Sequence, residues 1–542
     1  MGKKIIKQQL LLFIFMLLYG VTPMHAADNL ITQQVNILVD EPGNLKNLIT
    51  NEQVKRFTNI KLTGKLNVED IKFIRKMVIY EVLQHLDISD VQFVGTGTFS
   101  VGYRKANFTD DAIGEYVFAR LDNLKSIVLP SYISTICKNA FYESKGLTSL
   151  TLPNNLTSIG DYAFYECSGL TSLTLPEGLT SIGNYAFFGC GGLTSLTLPD
   201  GLTSVGERAF SDCKGLTSLA VPPRLSYIGS GAFIRCNTIK SLTVDKANQY
   251  YTCEGTVLFN KTKSVLVGAL GTITVYSVPS SVEVIEGSAF YGCNELTSLT
   301  LPEGLDSIGG AAFYGCNELT SLILPEGLTS IGGYAFSFCS GLTSLTLPEG
   351  LTSIGDNAFS CCVRLTSLTL PEGLTSIGDH AFSYCVGLTS LTLPESLTSI
   401  GYETFSGCTN LETLSLPSNL TKIGDGAFIE CKKLRTIHAY MQTPPDGTIF
   451  EIDTYTMSSV RKNAILYVPK GTIAKYSTTG EWKMFENIFE FNPSTGISVP
   501  TTGNGVKKVS RYSLDGHSLS NPTNGVNIVK YSDGSVKKIV VK

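Results

Sequence analysis

Apolar and polar residues follow one another in a pattern that returns every 23 residues over most of the chain. A clean copy runs from Leu170 to Cys190, with the sequence LTSLTLPEGLTSIGNYAFFGC. A copy of this length cannot bury its apolar positions alone, so neighbouring copies are expected to stack into one continuous core. The framework of this copy consists of Leu170, Leu173, Leu175, Pro176, Leu179, Ile182, Gly183, Ala186, Phe187 and Cys190.

Leucines spaced as L-x-x-L-x-L within a fixed period of roughly 20–29 residues are typical of a leucine-rich-repeat solenoid. The sequence predicts 14 such strands, which open between Leu124 and Leu434 at intervals of 23 residues with one exception. The interval from Ile239 to Ile273 is 34 residues. The 11 additional residues predict a hairpin that bulges from one rung and is formed by Tyr250 and Tyr251 with 256–259 and 264–267. The predicted fold is therefore a β-rich solenoid, an arc of about 14 leucine-rich repeats.

The segments outside the repeat predict two caps and a tail. Asn67 is placed to cap a helix, Asp70 follows three residues later, and apolar residues continue at helical spacing to Val82. This helix and the strands around it predict a small α/β N-terminal cap. The predicted organisation begins with a signal peptide at 1–26 and the N-terminal cap at 27–95. The solenoid follows at 96–438, with an expanded repeat at 239–272. After it come a C-terminal cap around Trp482 at 439–492, a linker at 493–505, and a short C-terminal β module at 506–542 that is a candidate sorting signal.

The N-terminus has the order of a secretory signal peptide, with basic residues, then an apolar run over 10–19, then a small-residue site that ends at Ala26. The apolar run is shorter than the roughly 20 residues that a membrane-spanning helix needs. No later stretch of the sequence is long and apolar enough for a span. We therefore predict an exported protein, at the cell surface or in the extracellular space, without a membrane span.

The charge of the chain excludes two classes of partner. Removal of residues 1–26, which contain three lysines and no acidic residue, changes the formal net charge from −4 to −7. Nucleic-acid binding requires clustered lysine and arginine, and binding to anionic lipid requires a basic surface. We expect neither kind of partner.

Eleven of the 14 cysteines share one position of the repeat, three residues after its phenylalanine, and Ser144 occupies that position in an early copy. A position that accepts serine and points inward favours a small buried side chain, so buried free thiols are predicted. The spacing of about 4.8 Å between rungs leaves disulfides open, although side chains stacked in parallel are poorly oriented for them. Cys137, Cys253 and Cys361 lie outside this pattern and are candidates for reactivity.

Hydroxyl side chains form the first candidate contact surface. Leu173 is predicted to point inward, so Ser172 and Thr174 point outward, and the same pair recurs in most copies. Our interpretation is a solvated sheet with favourable cross-strand pairs. The alternative is a regular hydroxyl array that matches an ordered partner such as a polysaccharide or ice.

Positions that vary between copies, on both sides of the Ala-Phe pair, form the second candidate surface. Their freedom from the packing pattern places them in solvent, and tyrosine among glycine, serine and asparagine suits protein recognition. The alternative is scattered surface tyrosines without a role. The same argument predicts that Phe313 points inward and that truncation of Tyr314 to alanine is nearly neutral for folding. The candidate partner-binding residues are Tyr162, Tyr165, Tyr185, Phe188, Tyr291, Tyr314, Tyr334 and Tyr384.

The sequence contains no pattern typical of catalysis or metal binding. Beyond the predicted signal peptide its histidines are far apart and lie in different predicted modules, without H-x-x-x-H or paired-cysteine spacing. We expect no enzyme activity, no metal and no cofactor. These histidines are His85, His380, His438 and His517.

With these motifs the chain resembles the BspA-like class of leucine-rich-repeat surface proteins, which carry treponeme-type 23-residue repeats. Copies of the LTSLTLPEGLTSIGD type carry the resemblance over 118–436. Residues 62–74 and 466–482 resemble the entry and exit segments of that class. The tail at 512–542 is similar to C-terminal modules of exported Bacteroidetes proteins, some of which are sorting signals.

The resemblance implies an adhesin, a bacterial surface protein that binds host extracellular matrix, a host cell-surface protein or a bacterial surface component. It transfers no catalytic, cofactor or metal residue, because the family has none to transfer. The alternative is an envelope glycan-binding or structural surface protein whose hydroxyl ladders contact polysaccharide. We expect a monomer, and the sequence leaves the ligand and the binding face open.

Overall fold

The computed structural model describes residues 30–446, 449–450, 460 and 463–492, together with the backbone of three strands in the tail. The predicted signal peptide at 1–26 and the predicted linker at 493–505 lie outside these residues. The tail strands Lys508–Ser513, Gly525–Tyr531 and Val536–Val541 pair antiparallel.

The repeats build a β-solenoid in which each turn contributes one short strand to a first face. The polar-apolar-polar sequence of these strands explains their geometry, since side chains alternate across a strand and the leucine goes inward. Leu173 is buried, while Ser172 and Thr174 are exposed. In chain order the repeat strands are Ser126–Val128, Ser149–Thr151, Ser172–Thr174, Ser195–Thr197, Ser218–Val221, Ser241–Val244, Val275–Ser277, Ser298–Thr300, Leu322–Ile323, Ser344–Thr346, Ser367–Thr369, Ser390–Thr392, Thr413–Leu416 and Thr436–Ala439.

A second face is built by two-residue strands that follow the Leu-Pro turn of each repeat. They also pair in parallel and in register, as Ser181 pairs with Ser204 and Ile182 with Val205. These strands are Thr135–Ile136, Ser158–Ile159, Ser181–Ile182, Ser204–Val205, Tyr227–Ile228, Val284–Ile285, Ser307–Ile308, Ser330–Ile331, Ser353–Ile354, Ser376–Ile377, Ser399–Ile400 and Lys422–Ile423.

The flanking segments continue the first face rather than only covering it. Before the repeats, strands Val35–Val39, Asn59–Leu66 and His85–Phe93 pair in parallel and join Ser126–Val128. After the repeats, Ile465–Pro469 joins Thr436–Ala439, and Asn487–Phe491 follows it. The leucine pattern is absent from these segments, so their shared sheet is a structural finding that the sequence did not predict.

Helices are few in the described part of the chain and lie outside its repeats. The predicted helix is confirmed at Val68–Tyr80, where Asn67 and Asp70 form a capping box. Asp70 is buried and also accepts hydrogen bonds from the backbone N–H groups of Gly43 and Leu45 at 2.6 and 3.0 Å. The remaining short elements are the helices Leu45–Leu48, Asn51–Val54 and Ile473–Tyr476, the 3₁₀ turn Trp482–Met484, and the hairpin strands Gly97–Val101 and Arg104–Phe108.

The core is a column of phenylalanine rings, one per turn, stacked along the solenoid. Phe164 and Phe187 are fully buried, with ring centroids 5.0 Å apart and planes 11° apart. Glycine permits this close stacking. A Cβ on Gly183 would lie 2.5 Å from the backbone nitrogen of Asp161 in the preceding turn, so no larger residue fits without a shift.

The predicted free thiols are confirmed, and the shared cysteine position has a hydrogen-bonding role that the sequence did not reveal. Cys190 is buried, and its Sγ donates to the carbonyl of Phe164 at 3.2 Å. Ser144 makes the same contact, donating from Oγ to the carbonyl of Phe118 at 2.7 Å. The position therefore selects a small donor, which explains the exchange of cysteine and serine. Burial raises the pKa of the Cys190 thiol well above its usual value.

The predicted hairpin in the expanded repeat is confirmed in part. Strands Val257–Asn260 and Val265–Ala269 pair antiparallel, and the predicted Tyr251 begins a further strand, Tyr251–Glu254, that pairs with the first of them. The hairpin does not simply bulge outward. Its last strand pairs in parallel with Val284–Ile285 and so enters the second face.

Truncation of one ring in the phenylalanine column should cost more than truncation of its exposed neighbour. Phe313→Ala should lower the free energy of unfolding by about 3–5 kcal/mol, because Phe313 is fully buried. Tyr314→Ala should cost about 1 kcal/mol rather than nothing, because its ring stacks on Tyr291 at 4.7 Å. Urea titration followed by Trp482 fluorescence measures both values. Equal losses at the two positions would contradict this packing.

Thiol labelling should divide the cysteines into two classes. In the native protein iodoacetamide should modify Cys137, Cys253 and Cys361, which are partly exposed, and spare the buried cysteines until the chain is unfolded in urea. Burial raises the pKa of Cys137 and Cys253, so their labelling should accelerate as the pH rises above neutral and the thiolate forms. Mass spectrometry of the labelled peptides identifies each site, and rapid native labelling of Cys190 would refute the assignment.

Candidate interaction surface

The third side of the solenoid is the stretch between each second-face strand and the next first-face strand, residues 160–169 in one copy. Three backbone N–H groups per turn donate to carbonyls of the following turn. Tyr162 donates to Asn184 at 2.8 Å, Phe164 to Ala186 at 2.7 Å, and Glu166 to Phe188 at 2.7 Å. This third set of bonds between turns fixes the backbone on the side where the sequence varies most.

Two positions of the third side adopt left-handed backbone conformations in successive turns. The first precedes the Ala-Phe pair, as at Tyr162 with φ 55°, and the second lies two residues after the phenylalanine, as at Glu166 with φ 54°. A left-handed non-glycine residue costs about 1–2 kcal/mol. Other copies place glycine there, which avoids the cost. These glycines are Gly189, Gly231, Gly292, Gly315, Gly407 and Gly426.

Five aromatic rings on the third side form a contiguous surface, which we call the N-terminal aromatic strip. It consists of two parallel stacks. Tyr142, Tyr165 and Phe188 stack with centroids 5.0 and 4.9 Å apart, and Tyr162 stacks on Tyr185 at 4.9 Å. The two stacks touch, since the rings of Tyr162 and Tyr165 are 5.7 Å apart. The 23-residue period generates this surface by placing the same side chain one rung further along.

Stacking leaves only part of each ring in contact with solvent. Tyr162, Tyr165, Tyr185 and Phe188 are half-buried, so the sequence overestimated their exposure. Burial raises the pKa of Tyr165 and Tyr185 above the usual value for tyrosine. Tyrosine is protonated at neutral pH even with its usual pKa of about 10, so these hydroxyl groups are available as hydrogen-bond donors.

Charged groups of both signs border the strip. Glu143 pairs with Arg120 at 3.1 Å, and Glu166 pairs with Lys145 at 3.0 Å. The Lys138 Nζ lies 5.8 Å from the centroid of the Tyr162 ring. The surface thus has an apolar centre and a mixed polar border, which is the general composition of a protein–protein interface.

A second group of rings, the C-terminal aromatic strip, lies on the third side after the expanded repeat. Tyr291 stacks on Tyr314 at 4.7 Å, and Phe338 follows at 5.2 Å with tilted planes. The guanidinium of Arg208, from an earlier turn, lies 5.8 Å from the Tyr291 centroid. Tyr334 and Tyr384 are 48% and 52% exposed.

The structure thus groups six of the eight predicted residues into these two strips. Sequence reasoning missed Tyr142 and Phe338, although Tyr142 precedes Tyr165 by one period and could have been found from it. It also missed the role of Asp161 and Asn184, whose side-chain oxygens accept the backbone N–H of the residue 23 positions later at 2.7 Å. Such hydrogen bonds cannot be predicted from the spacing of apolar residues.

The histidines of the described residues make ordinary structural contacts. His85 Nδ1 lies 2.8 Å from Ser126 Oγ, His380 Nδ1 lies 3.7 Å from a carboxylate oxygen of Glu403, and His438 stacks on Tyr467. Burial lowers the pKa of His438. His517 lies outside the residues described. Within the described residues no group of three or more histidine, cysteine, aspartate or glutamate side chains is placed to hold a metal ion.

The helices in the described part of the chain are too short or too polar to cross a membrane.

Solved structures resemble this fold. A leucine-rich repeat protein from Eubacterium ventriosum is 25% identical, with 67% of this chain and 98% of that chain covered and a TM-score of 0.53. A leucine-rich repeat protein from Bacteroides ovatus is 26% identical, covering 63% and 85% with a TM-score of 0.38. A leucine rich cell surface protein from Faecalibacterium prausnitzii is 26% identical, covering 63% and 86% with a TM-score of 0.38.

Sequence comparison gives the family directly. A search of curated proteins found no match. The family model described as BspA type leucine rich repeat region matches in six copies, across residues 111–240, 270–387 and 352–467. These ranges cover more than half of the chain and include most of the regular turns of the solenoid. The chain therefore belongs to the BspA-type leucine-rich-repeat family.

Proposed function

We propose that this protein is exported and binds a protein partner through the N-terminal aromatic strip, as an adhesin for host matrix or host cells. The observation that carries the proposal is the contiguous strip itself, with Tyr162 stacked on Tyr185 at 4.9 Å and a second stack beside it. Family membership supports a binding function, because leucine-rich-repeat solenoids present extended surfaces to partners. The signal-peptide pattern at 1–26 supports export.

The tyrosines of the strip occupy a backbone position that is not reserved for one residue type. Tyr162 and Tyr185 both have φ 55°, and other turns place Arg208, Ala311 or Gly231 there in the same left-handed conformation. The left-handed backbone is thus a property of the repeat and does not distinguish the tyrosines. Tyr162 and Tyr185 are distinguished by their rings, which stack at 4.9 Å within one contiguous surface. They are therefore the best candidates for direct contact with the partner.

The stacking favours a protein partner over a glycan. A sugar ring packs against the open face of an aromatic ring, whereas the faces within each stack are covered by the neighbouring rings 4.9–5.0 Å away. The exposed edges and the hydroxyl groups of tyrosine suit a protein surface, which offers both apolar side chains and hydrogen-bond acceptors.

One observation favours a second candidate, contact with envelope or host polysaccharide. The first face presents hydroxyl groups in register, as Ser172 and Thr174 pair with Ser195 and Thr197 and all four are exposed. An extended glycan could donate and accept hydrogen bonds along these rows. The two candidates use different sides of the solenoid, so variants can separate them.

Binding by the mature protein, residues 27–542, should be saturable on a member of a panel of matrix proteins or on host cells. Tyr185→Gly should reduce affinity about tenfold or more, because it removes a ring at the centre of the strip. Glycine is chosen because it keeps the left-handed backbone and removes only the ring. Surface plasmon resonance against the retained partner measures the change.

The matched control is Asn357→Gly, in the same position of a distant turn with φ 57°. It should leave the affinity unchanged, and circular dichroism should show that both variants fold. Equal affinity for the wild type, Tyr185→Gly and Asn357→Gly would overturn the assignment of the strip. Retention on a glycan array with no protein bound would instead support the first-face candidate.

A further inference from the structure

The two hairpin strands inserted in the expanded repeat bury side chains on both of their surfaces, each surface against a different part of the core. Val257, Phe259 and Leu266 pack with the buried residues that follow in the chain. Leu258, Val267 and Leu270 pack with the buried residues that precede them. Because side chains alternate along a strand, one small sheet faces two groups of core residues. We call the strands Tyr251–Glu254, Val257–Asn260 and Val265–Ala269 the septum.

The regular contacts between turns are interrupted at the septum. The five-stranded second-face sheet ends with Tyr227–Ile228, and the next sheet of that face begins with the septum itself. The column of rings is interrupted as well. Stacked pairs run from Phe118 to Phe233 and resume from Phe290, and no ring contact joins Phe233 to Phe290 among the described residues.

Side-chain hydrogen bonds hold the septum to the preceding turn where strand pairing is absent. The Tyr251 hydroxyl accepts the backbone N–H of Ile228 at 3.0 Å, a group at the end of the interrupted sheet. Buried Asn248 donates from Nδ2 to the carbonyls of Pro222 and Leu225 at 2.7 and 3.0 Å. These contacts provide hydrogen-bond partners for backbone groups of the preceding turn. They are a few single side-chain hydrogen bonds in place of the backbone hydrogen bonds that pair regular turns.

A small apolar cavity lies at the same boundary. It measures about 20 Å³ and is lined by Ile228, Phe233, Leu258, Val267 and Leu270, with Ser288 among the few polar contributors. Side chains next to a void lose dispersion contacts on that side. Packing across the boundary is therefore weaker than between regular turns, where the phenylalanine rings stack directly.

We propose that the septum divides the solenoid into two cooperative units, the turns before it and the turns after it, which unfold separately. Each turn of a solenoid contacts only its neighbours, so the stability of the array is a sum over turns and the interfaces between them. An array separates into units where one interface contributes too little to couple its two sides. The two aromatic strips then belong to different units, joined by contacts such as that of Arg208 with Tyr291.

The only tryptophan of the chain provides a direct test. Trp482 is buried in the C-terminal unit, against Tyr476, Phe450 and Phe485, so its fluorescence reports that unit alone. Far-ultraviolet circular dichroism reports both units. The mature protein, kept reduced, should be titrated with urea and followed by both probes.

Two units of equal stability would unfold at the same urea concentration and look like one. Two matched core truncations, one in each unit, separate these cases. Phe164 and Phe359 are both fully buried and each lies between two stacked rings, at 5.0 Å and 5.3 Å respectively. Phe164→Ala should lower the urea midpoint of a circular-dichroism transition and leave the fluorescence midpoint unchanged. Phe359→Ala should lower the fluorescence midpoint and leave the circular-dichroism transition of the turns before the septum unchanged.

A single cooperative unit would behave differently. Both variants would then shift the fluorescence and circular-dichroism midpoints together, and that result would overturn the proposal. This outcome does not bear on the binding proposal, because loss of partner binding in Tyr185→Gly is measured on folded protein.

Discussion

Repetition at a spacing of about 5 Å is the constraint on which the rest of this structure depends. Each turn must present the same backbone and the same apolar contacts to the next, so a side chain at one position meets its own equivalent 23 residues later. The phenylalanine column and the aromatic strips are both consequences of this rule, one inside the solenoid and one outside. The glycine before most third-side turns permits the spacing, since at Gly183 a Cβ would lie 2.5 Å from the preceding backbone.

Much of the fold could be predicted from the sequence because burial imposes a visible period. The alternation around Leu173 gave the first-face strand, the capping pair Asn67 and Asp70 gave the main helix, and the exchange of cysteine with Ser144 indicated a small buried position. In each case one residue type is required by packing or by a local hydrogen bond. Such requirements can be read without knowledge of the neighbours in space.

What could not be predicted depends on backbone conformation and on contacts between distant turns. The left-handed φ of Tyr162 is not encoded by apolarity, because glycine, tyrosine and asparagine all occur at that position. The half-burial of the tyrosines arises only once equivalent rings stack. The sequence predicted a protruding hairpin at the septum. It shows that Val257 and Leu258 are both apolar, but it does not show that they face different groups of core residues.

The central functional claim is that the stacked tyrosines on the third side contact the partner, and footprinting tests it most directly. A protein of residues 27–542, bound to a matrix protein that retains it, can be exposed to hydroxyl radicals and compared, residue by residue, with the free protein. The account predicts reduced oxidation of Tyr142, Tyr162 and Tyr185 in the complex, with exposed Tyr227 and Tyr402 unchanged. Unaltered oxidation of the strip, with protection elsewhere on the solenoid, would contradict it.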